Sequence, residues 1–408
     1  MRILHILRTL DPAWGGPVEG ARNLTDRALA RGYTVEIACL DDPQSAWIPF
    51  WRPTIHALGR RRSMYGFNRH LDGWLAANLS RFDAVVVHSI WMYFSYAVWS
   101  ATRRVRVPYF LLIHGALDPW FKAQYPLKHV KKTLYWNLLE HKVLRDAEAV
   151  LFTTEEEQRL AHNAFQPYHC RPAVIGYGIL EPKADPTFDK RVIIEALTAS
   201  NPALRNRDFI LFLGRIHEKK GVDLLLKAFA AVRRFFPRTA IVIAGPGSNG
   251  QVAPFKNLAA SLGIADDVIW PGALYGDVKY NTMRAADAYI LPSHQENFGI
   301  SVVESLACRT PVLISNKVNI WREIQRAGAG LIEPDDLEGS TQLLKNWAAL
   351  TPAEKSAMRV SARACFDENF DITFTSDRFF SVILSGARRS LEVSIPKNNN
   401  CSGSKCAF

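Results

Sequence analysis

The chain has 408 residues and a formal net charge of +11, and this length exceeds what one hydrophobic core usually serves, so we expect two domains. With 48% hydrophobic and 22% charged residues, its composition is that of an ordinary globular protein. The six cysteines form no CxxC pair and have no histidine at metal-ligand spacing, which argues against a zinc site or a disulfide framework and suits a reducing cytosol.

Apolar runs alternate with stretches of helical period through the first 180 residues. The runs RILHIL, YTVEIACL, DAVVVHS, PYFLLIHG and EAVLFTT predict five strands, and the patterns over 18–31 and 128–145 predict helices between them. Strand and helix alternating in this way indicate a parallel sheet covered on both faces.

One stretch in this half tests whether the chain crosses a membrane. Residues 84–102 carry no formal charge and are long enough to span a bilayer, so a transmembrane helix is one alternative. We favour a buried strand followed by a packed helix, because the second half is rich in Trp, Tyr and Ser. The first residues, MRILHILRTLDP, lack the length and the cleavage site of a signal peptide.

The alternation restarts after an irregular segment at 181–207. The runs DFILFLG, TAIVIAG, DVIWPGA, DAYILPS, PVLIS and AGLIEP predict a second sheet, with helices at 221–236, near 254–262 and from Gly299. The fold class is therefore α/β, with two Rossmann-like doubly wound parallel-sheet domains that face an interdomain cleft. We expect domains at 1–182 and 208–372, a linker at 183–207, a helix at 373–390 that returns to the first domain, and a disordered tail at 391–408.

Positive charge is concentrated in the first half of the chain. Basic residues cluster at 60–62, 103–106 and 128–132. Such a surface suits anionic lipid headgroups, acidic glycolipids or nucleic acid, while solvated helix faces are an equally good explanation. The aromatic residues close to these clusters are Tyr65, Phe67, Trp120, Phe121 and Tyr125.

Two loops at strand ends carry groups that suit a phosphate, since ligands of open α/β sheets bind beyond the carboxyl ends of the strands. In TLDPAWGGPVEG, Gly15 and Gly16 open a helix and allow close backbone approach, although a tight turn alone would also explain them. In GRIHEKKG, Arg215 and Lys220 lie where both can reach a diphosphate, and a solvated basic turn is the alternative.

A third crossing, SHQENFGISVVESL, places free amides at the start of a helix. We expect Asn297 to be the N-cap, with Gly299, Ile300 and Ser301 forming the first turn. Their unpaired amides face the cleft and suit the anionic end of a ligand.

The same crossing carries two carboxylates eight positions apart. Glu304 stands among apolar residues one turn into the helix and leans back toward its amino terminus, where it suits the two hydroxyls of a ribose. Balancing the helix dipole or pairing with an arginine is the alternative role. Glu296, in the loop, is expected nearer the reacting end of a ligand.

These three motifs, GGP, GRIHEKKG and ENFGISVVE, in this order and on these elements, resemble the retaining nucleotide-sugar glycosyltransferases of family 4 (glycosyl transferases group 1). The resemblance covers residues 1–390 and implies the GT-B architecture. It implies transfer of a sugar from a nucleoside-diphosphate sugar to a hydroxyl acceptor, in bacterial exopolysaccharide, lipopolysaccharide or glycolipid assembly. One departure is Tyr177 before Gly178, where the family often has Asn-Gly, and it concerns packing at the edge of the linker.

The resemblance also implies roles at matching positions. The catalytic group would consist of His114 beside the transferred sugar, Glu296 on that sugar, and Arg215 with Lys220 on the donor diphosphate. Glu304 would bind the ribose, and the backbone around Leu274 would pack on the base. The donor-binding residues implied are Gly15, Gly16, Ala273, Leu274, Phe298, Gly299, Ile300, Ser301 and Glu304.

The resemblance further implies retention at the anomeric carbon without a divalent metal, and we find no DxD-like acidic pair at a strand end. No other cofactor is expected. A nucleotide-sugar epimerase of the same architecture and a non-catalytic nucleotide-sugar-binding protein are the alternatives. We expect a cytoplasmic protein with a sugar, lipid-linked saccharide or glycolipid acceptor, no nucleic-acid partner, and an optional peripheral contact with an anionic inner membrane face.

Overall fold

A computed structural model describes residues 1–59, 65–199 and 207–394. The basic cluster at 60–62 and most of the predicted disordered tail lie outside the described residues. The first four residues of that predicted tail are helical, because the last helix runs to Ser394.

The first domain is built on a parallel sheet of seven strands in the order β3-β2-β1-β4-β5-β6-β7. All five predicted strands are confirmed, and two short strands were not predicted, β3 and β7. The strands are β1 (Arg2–Leu7), β2 (Thr34–Cys39), β3 (Thr54–Ala57), β4 (Ala84–His88), β5 (Tyr109–Leu112), β6 (Ala149–Phe152) and β7 (Pro172–Val174).

Helices cover both faces of this sheet, which is why its central strands are buried and mostly apolar. The segment predicted as one helix over 128–145 is interrupted by a π-helical stretch, Trp136–Glu140. The helices are α1 (Gly16–Ala30), α2 (Arg69–Asn78), α3 (Tyr93–Val105), α4 (Trp120–Gln124), α5 (Pro126–Tyr135), α6 (His141–Asp146) and α7 (Glu155–Ala161).

The uncharged stretch at 84–102 divides as expected into strand β4 and the beginning of helix α3. Phe94, Val98 and Trp99 of this helix pack into the core of the first domain. Across the residues that the structure describes, no helix combines the length and the apolar character needed to span a bilayer.

The segment predicted as an irregular linker contains a helix, α8 (Lys190–Thr198). Lys190 donates to Asp208 at 2.8 Å, and Asn281 donates to Asp185 at 2.6 Å, so this segment is attached to the second domain. Its helical period was not recognised because KRVIIEALT is short and follows a segment with two prolines, Pro182 and Pro186.

The second domain is a parallel sheet of six strands in the order β10-β9-β8-β11-β12-β13, and all six predicted strands are confirmed. They are β8 (Asp208–Leu213), β9 (Thr239–Ala244), β10 (Val268–Gly272), β11 (Ala288–Leu291), β12 (Val312–Ser315) and β13 (Gly330–Glu333). The helices are α9 (Val222–Val232), α10 (Asn249–Ser261), α11 (Gly276–Ala285), α12 (Ile300–Ala307), α13 (Trp321–Ala327), α14 (Leu337–Ala349), α15 (Pro352–Asn369) and α16 (Ile372–Ser394).

The last helix, α16, crosses back to the first domain. Its side chains Phe379, Phe380 and Ile383 are buried in the same apolar cluster as Ile3 and Val86 of the first sheet. Burial of three large apolar side chains contributes roughly 5 to 9 kcal/mol of hydrophobic free energy, before the entropy cost of ordering them. The two domains are therefore joined at two places, the linker and this helix.

Candidate functional site

Each sheet has one point where the order of its strands reverses, between β1 and β4 in the first domain and between β8 and β11 in the second. Loops leave the sheet in opposite directions at such a point and open a crevice beyond the carboxyl ends of the strands. The loops after these strands carry most of the residues predicted to form the site. The two switch points thus face each other across the cleft, and the loops beside them form the candidate site.

The loop after β8 is locked to the loop after β11. Gly221 has a positive φ of 69°, and a Cβ added there would lie 2.0 Å from the carbonyl oxygen of Pro292, so no other residue fits. The carbonyl of Lys219 accepts hydrogen bonds from Ser293 Oγ at 3.0 Å and from the His294 amide at 2.9 Å. These contacts hold Lys220 beside Glu296.

Lys220 and Glu296 form an ion pair at this junction, with each side chain 21% exposed. Burial, together with the positive charges of Lys219 and Arg215, lowers the pKa of Lys220 to about 7, although Glu296 lies against its ammonium. The Arg215 side chain is exposed at the same loop. Three cationic side chains, Arg215, Lys219 and Lys220, therefore lie close to the loop that carries Glu296. This arrangement favours the binding of an anion.

The start of α12 differs from the prediction. The N-cap is Gly299, at a φ of 81°, and not Asn297. The prediction was wrong because Asn297 instead donates to Thr153 Oγ1 of the first domain at 3.2 Å. Within the described part of the chain, the amides of Gly299, Ile300 and Ser301 have no hydrogen-bond acceptor, which leaves a positive helix end at the cleft.

Glu304 lies one turn into α12 and is 8% exposed. Its Oε1 accepts hydrogen bonds from Lys279 Nζ at 2.6 Å and from the Tyr280 hydroxyl at 3.3 Å, both on α11. Burial raises the pKa of Glu304, and the Lys279 charge opposes that rise. The charge is thus compensated by a lysine, and both contacts use the same oxygen, so Oε2 is the atom available to a ligand.

A column of three histidines, the buried His5 and His88 and the half-buried His114, forms the facing wall in the first domain. His5 Nδ1 lies 2.9 Å from His88 Nε2, and His88 Nδ1 lies 3.2 Å from His114 Nε2. Burial lowers the pKa of His114 to about 4 and that of His5 to about 3, and burial together with the two neighbouring histidines lowers the pKa of His88 well below its ordinary value. All three rings are therefore neutral near pH 7.

The two hydrogen bonds of the histidine column must point the same way along it, because each neutral ring carries one proton. A neutral imidazole carries one N–H, so His88 donates one of the two hydrogen bonds and accepts the other. His5 Nε2 is buried without a partner among the described residues. A buried N–H without an acceptor is rarer than a bare lone pair, so the assigned direction runs from His5 toward His114. His114 then carries its proton on Nδ1.

Backbone strain marks the same loops. His114 has a φ of 50°, and Ser89 and Trp91, which follow β4, have φ values of 97° and 70°. Non-glycine residues in this region cost of order 1 to 3 kcal/mol each and persist where their surroundings fix them. Glu157 supplies one such constraint, because its carboxylate accepts from the Gly115 amide at 2.5 Å and from the Thr153 amide at 2.6 Å.

Glu157, His5 and His88 are functional candidates that sequence reasoning missed. The two histidines stand inside apolar strand patterns and were not distinguished from core residues. Glu157 belongs to a Thr-x-x-Glu sequence at a helix start, which predicts only a cap. What reveals them is proximity between segments far apart in the chain.

The glycine-rich turn before α1 lies across the cleft from α12. A Cβ on Gly16 would lie 3.2 Å from Ile300 Cδ1, whereas a Cβ on Gly15 would meet nothing within 4 Å. The Tyr177 hydroxyl donates to the Gly16 carbonyl at 2.5 Å, and its ring packs on Phe298 with centroids 4.8 Å apart. Tyr177, the departure from the family pattern, therefore links α1 to the crossing before α12.

The remaining predicted residues play different parts. Leu274 is partly buried in the loop between β10 and α11, and beside it Tyr275 is 72% exposed. The Ser301 hydroxyl is bonded to the Tyr289 hydroxyl at 2.7 Å, so Ser301 offers the cleft its amide only. Phe298 is buried against Tyr177 and likewise contributes backbone.

The two walls touch at several points. Gln295 donates to Asp118 Oδ2 at 2.7 Å, and a Cβ added to Gly115 would lie 2.8 Å from the Asn297 side chain. Among the residues described, no group of three or more His, Cys, Asp or Glu side chains is placed to hold a metal ion. Metal independence stays a prediction.

Two family models match the chain, Glycosyl transferase 4-like domain over residues 15–178 and Glycosyl transferases group 1 over residues 194–362. The boundary between the two matched regions falls between the two sheets. The lysine, arginine and glutamates of the second wall lie inside the second match, and His114 lies inside the first.

Curated relatives agree with this assignment. A D-inositol 3-phosphate glycosyltransferase of Salinispora arenicola is 31% identical over 182 residues, covering 43% of this chain and 41% of the relative. Another, of Mycolicibacterium vanbaalenii, is 28% identical over 300 residues, covering 69% and 63%. The matched part of the chain thus spans less than two thirds of the length of these curated relatives.

Solved structures share the fold at low identity. The Anabaena protein Alr3699/HepE in complex with UDP has a TM-score of 0.74 and 16% identity, covering 94% of this chain and 100% of that one. A glycosyltransferase from Rickettsia africae has a TM-score of 0.73 and 17% identity, covering 94% and 98%. The fold is thus the GT-B architecture, and the chain belongs to the glycosyl transferases group 1 family.

Proposed function

We propose that the chain is a retaining, metal-independent glycosyltransferase that moves a sugar from a nucleoside-diphosphate sugar to a hydroxyl of a saccharide, lipid-linked saccharide or glycolipid. The biological setting we propose is assembly of bacterial exopolysaccharide, lipopolysaccharide or glycolipid. The observation that carries the proposal is the crossing before α12, where Lys220 and Glu296 meet beside free helix amides. Solved structures of the same fold carry UDP and UDP-glucose, which supports a donor of this class.

The second domain supplies groups for each part of such a donor. Arg215 and Lys220 offset the negative charge of the diphosphate, and the free amides of α12 point at the same anion. Glu304 Oε2 accepts the ribose hydroxyls, since its other oxygen is held by Lys279. The base packs on the backbone at Leu274.

The transfer step separates charge in a way that suits this site. The bond between the anomeric carbon and the donor phosphate oxygen breaks, and its electron pair leaves with the nucleoside diphosphate. The acceptor oxygen bonds to the same face of that carbon, and its proton passes to a phosphate oxygen of the leaving group. Lys220 and Arg215 stabilise the negative charge that develops there.

The facing wall positions the sugar in this proposal. His114 Nδ1–H donates a hydrogen bond to a hydroxyl of the transferred sugar, and it remains neutral because burial lowers its pKa to about 4. Glu296 accepts a hydroxyl on the opposite side. Gly15 leaves open backbone beside the diphosphate or the acceptor.

We also propose that the protein works in the cytoplasm and rests peripherally on the inner face of the membrane. The support is the basic first domain, with clusters at 103–106 and 128–132. A lipid-linked acceptor would be reached from such a position.

A panel of UDP-, GDP-, ADP- and dTDP-sugars tests the donor site. We expect one of them to raise the melting temperature of the wild type and to be hydrolysed slowly, with stabilisation lost in Glu304→Gln. Glu354→Gln is the matched control, because a glutamine keeps the capping box at the start of α15. If no nucleotide sugar stabilises the wild type more than Glu304→Gln, the donor site is wrong.

Acceptor assays separate the transferase from its alternatives. Radiolabelled sugar transferred to an acceptor supports the proposal, and retention is read from the anomeric configuration of the product. Interconversion of two nucleotide sugars without glycoside formation would identify an epimerase. Stabilisation by a nucleotide sugar with neither transfer nor hydrolysis would identify a binding protein.

A further inference from the structure

A row of apolar side chains projects from the surface of the first domain along α5 and the π-helical stretch after it. Leu127, Val130, Leu134 and Leu138 are 82%, 67%, 64% and 63% exposed. They follow one another at intervals of three or four residues, so they lie along one face of the helix. We call these four residues the α5 row. Contiguous exposed apolar surface of this kind marks a site of interaction.

The row is distinct from the face that holds the helix to its domain. Trp136 and Glu140 are fully buried on that other face, and Trp136 Nε1 donates to the Pro167 carbonyl at 2.8 Å. Val143 and Leu144 continue the buried face into α6. The helix therefore has two apolar sides, and the domain core uses only one of them.

Positive charge accompanies the α5 row without acidic partners on the exposed side. Lys128 and Lys131 are exposed on the same helix. Between residues 120 and 146 the acidic side chains are Glu140, which is buried, and Asp146, which is bonded to Arg145 and to Trp99 Nε1. A cationic helix face with apolar side chains along it matches an anionic bilayer surface.

The charge pattern also decides against a second copy of the chain as the occupant. A twofold interface would bring Lys128 and Lys131 near their own symmetry mates, and neither acidic side chain between residues 120 and 146 is free to compensate them. Tyr125, 43% exposed at the start of the row, adds an aromatic ring of the kind enriched at the headgroup level of membranes. Both features favour lipid.

We propose that the α5 row inserts into the interfacial layer of an anionic lipid bilayer, with Lys128 and Lys131 at the headgroups. This inference rests on the proposed peripheral association and names the surface responsible for it. The segment just before the row reaches the cleft, because Lys219 lies 5.1 Å from the Trp120 ring centroid and Asp118 bonds to Gln295. A docked protein would hold its cleft close to acceptors anchored in the bilayer.

Sedimentation of the full chain with vesicles tests the proposal. Vesicles of phosphatidylcholine alone and of phosphatidylcholine with phosphatidylglycerol are compared. We expect binding to the anionic vesicles, weakened by at least about tenfold in Leu134→Gln/Leu138→Gln, since each leucine loses buried apolar surface. Lys128→Gln/Lys131→Gln should weaken binding by about fivefold per lysine removed.

Val360→Gln is the matched control, because Val360 is 65% exposed on α15 in the second domain. It should bind anionic vesicles as the wild type does. An equal loss in Val360→Gln, no binding by the wild type, or equal binding to neutral vesicles would each overturn the proposal. Self-association of the wild type that Leu134→Gln/Leu138→Gln abolishes would instead assign the row to a second copy and overturn it as well.

Hydrolysis of the donor in solution, without vesicles, keeps this test separate from the proposed activity. The row variants should hydrolyse the donor at the wild-type rate, which also shows that they fold. Vesicle binding without any activity on nucleotide sugars would leave the docking surface standing and reject the proposed function. Activity on nucleotide sugars without vesicle binding would reject the docking surface and leave the proposed function standing.

Discussion

The two walls of the cleft use opposite electrostatics. The first domain presents a column of neutral histidines, each with its pKa lowered by burial, whereas the second presents the charged pairs Lys220–Glu296 and Lys279–Glu304. A neutral wall orients hydroxyls through directional hydrogen bonds, and a charged wall stabilises an anion. This difference agrees with the proposed arrangement, in which the diphosphate binds to the second domain and the sugar lies between the two domains.

The electrostatic difference between the two walls follows from how deeply each switch point is buried. Around β1 and β4 the strands are closed on both faces and α16 covers them, so His5 sits in an apolar environment where a charge is costly. At β8 and β11 the loops are only partly buried, and neighbouring charges compensate one another. Each wall can therefore be disrupted without destroying the other.

The largest effect is expected from removing the cation of the charged wall. Lys220→Met should lower kcat of sugar transfer by about 100- to 1,000-fold, because a preorganised charge beside the developing phosphate is lost. Lys227→Met is the control, since Lys227 pairs with Asp223 on the outer surface of α9. Steady-state kinetics with melting temperatures measured in parallel would check this. Equal losses in both variants would mean that the charged wall has no special role.

The neutral wall is tested at His88, which touches no ligand in the proposed arrangement and positions His114. His88→Leu should lower kcat by about 10- to 100-fold with little change in the donor KM, as removal of an outer hydrogen-bond partner does elsewhere. His88→Gln keeps a donor and an acceptor and should recover part of the loss. A shift of the His114 ring nitrogen resonances in His88→Leu would report the change of tautomer directly.

If His88→Leu raised the donor KM and left kcat unchanged, the column would be a packing feature of the first domain. Equal activity of His88→Leu and His88→Gln would lead to the same conclusion. Both outcomes concern the neutral wall only, so the charged wall would keep its role.

Strands were predictable where the apolar run is long and buried, and this covers most of both sheets. Strand β4 reads AVVVH, and every residue of it is buried. The missed strands β3 and β7 lie at sheet edges, are four and three residues long, and are half exposed, so no apolar period marks them. The fold class was confirmed because it depends on the alternation of elements and not on its shortest members.

The candidate site was predictable as positions and not as contacts. Lys220 and Glu296 were chosen from two separate loops, but their pairing depends on Gly221 fitting under Pro292, a contact between distant segments. Local residue preference predicts Asn297 as the N-cap, but the Asn297 side chain instead donates a hydrogen bond to Thr153 of the first domain. Rules based on neighbouring residues in the sequence take no account of hydrogen bonds to the facing domain.

The pH dependence of donor binding sharpens the difference between the walls. Burial lowers the pKa of Lys220 to about 7, so its ammonium is present below pH 7 and lost above it, while the histidines stay neutral throughout. Affinity for UDP should therefore fall about tenfold between pH 6 and pH 8. Titration calorimetry in two buffers at pH 7.5 should show proton uptake on binding. Lys220→Arg should show neither effect, and persistence of the pH dependence in that variant would assign it to another group.

The smallest effect is expected at the seam between the walls, where Tyr177 bonds to Gly16 and packs on Phe298. Tyr177→Phe keeps the contact between the two rings and removes one hydrogen bond, so the free energy of unfolding should fall by about 1 kcal/mol. Tyr33→Phe is the control, because the Tyr33 ring packs on Phe380 and its hydroxyl has no hydrogen bond to the described residues. Urea denaturation of the two variants isolates the bond. A similar change in both would mean that Tyr177 joins the walls through its ring alone, and the departure from Asn-Gly would then be a matter of packing.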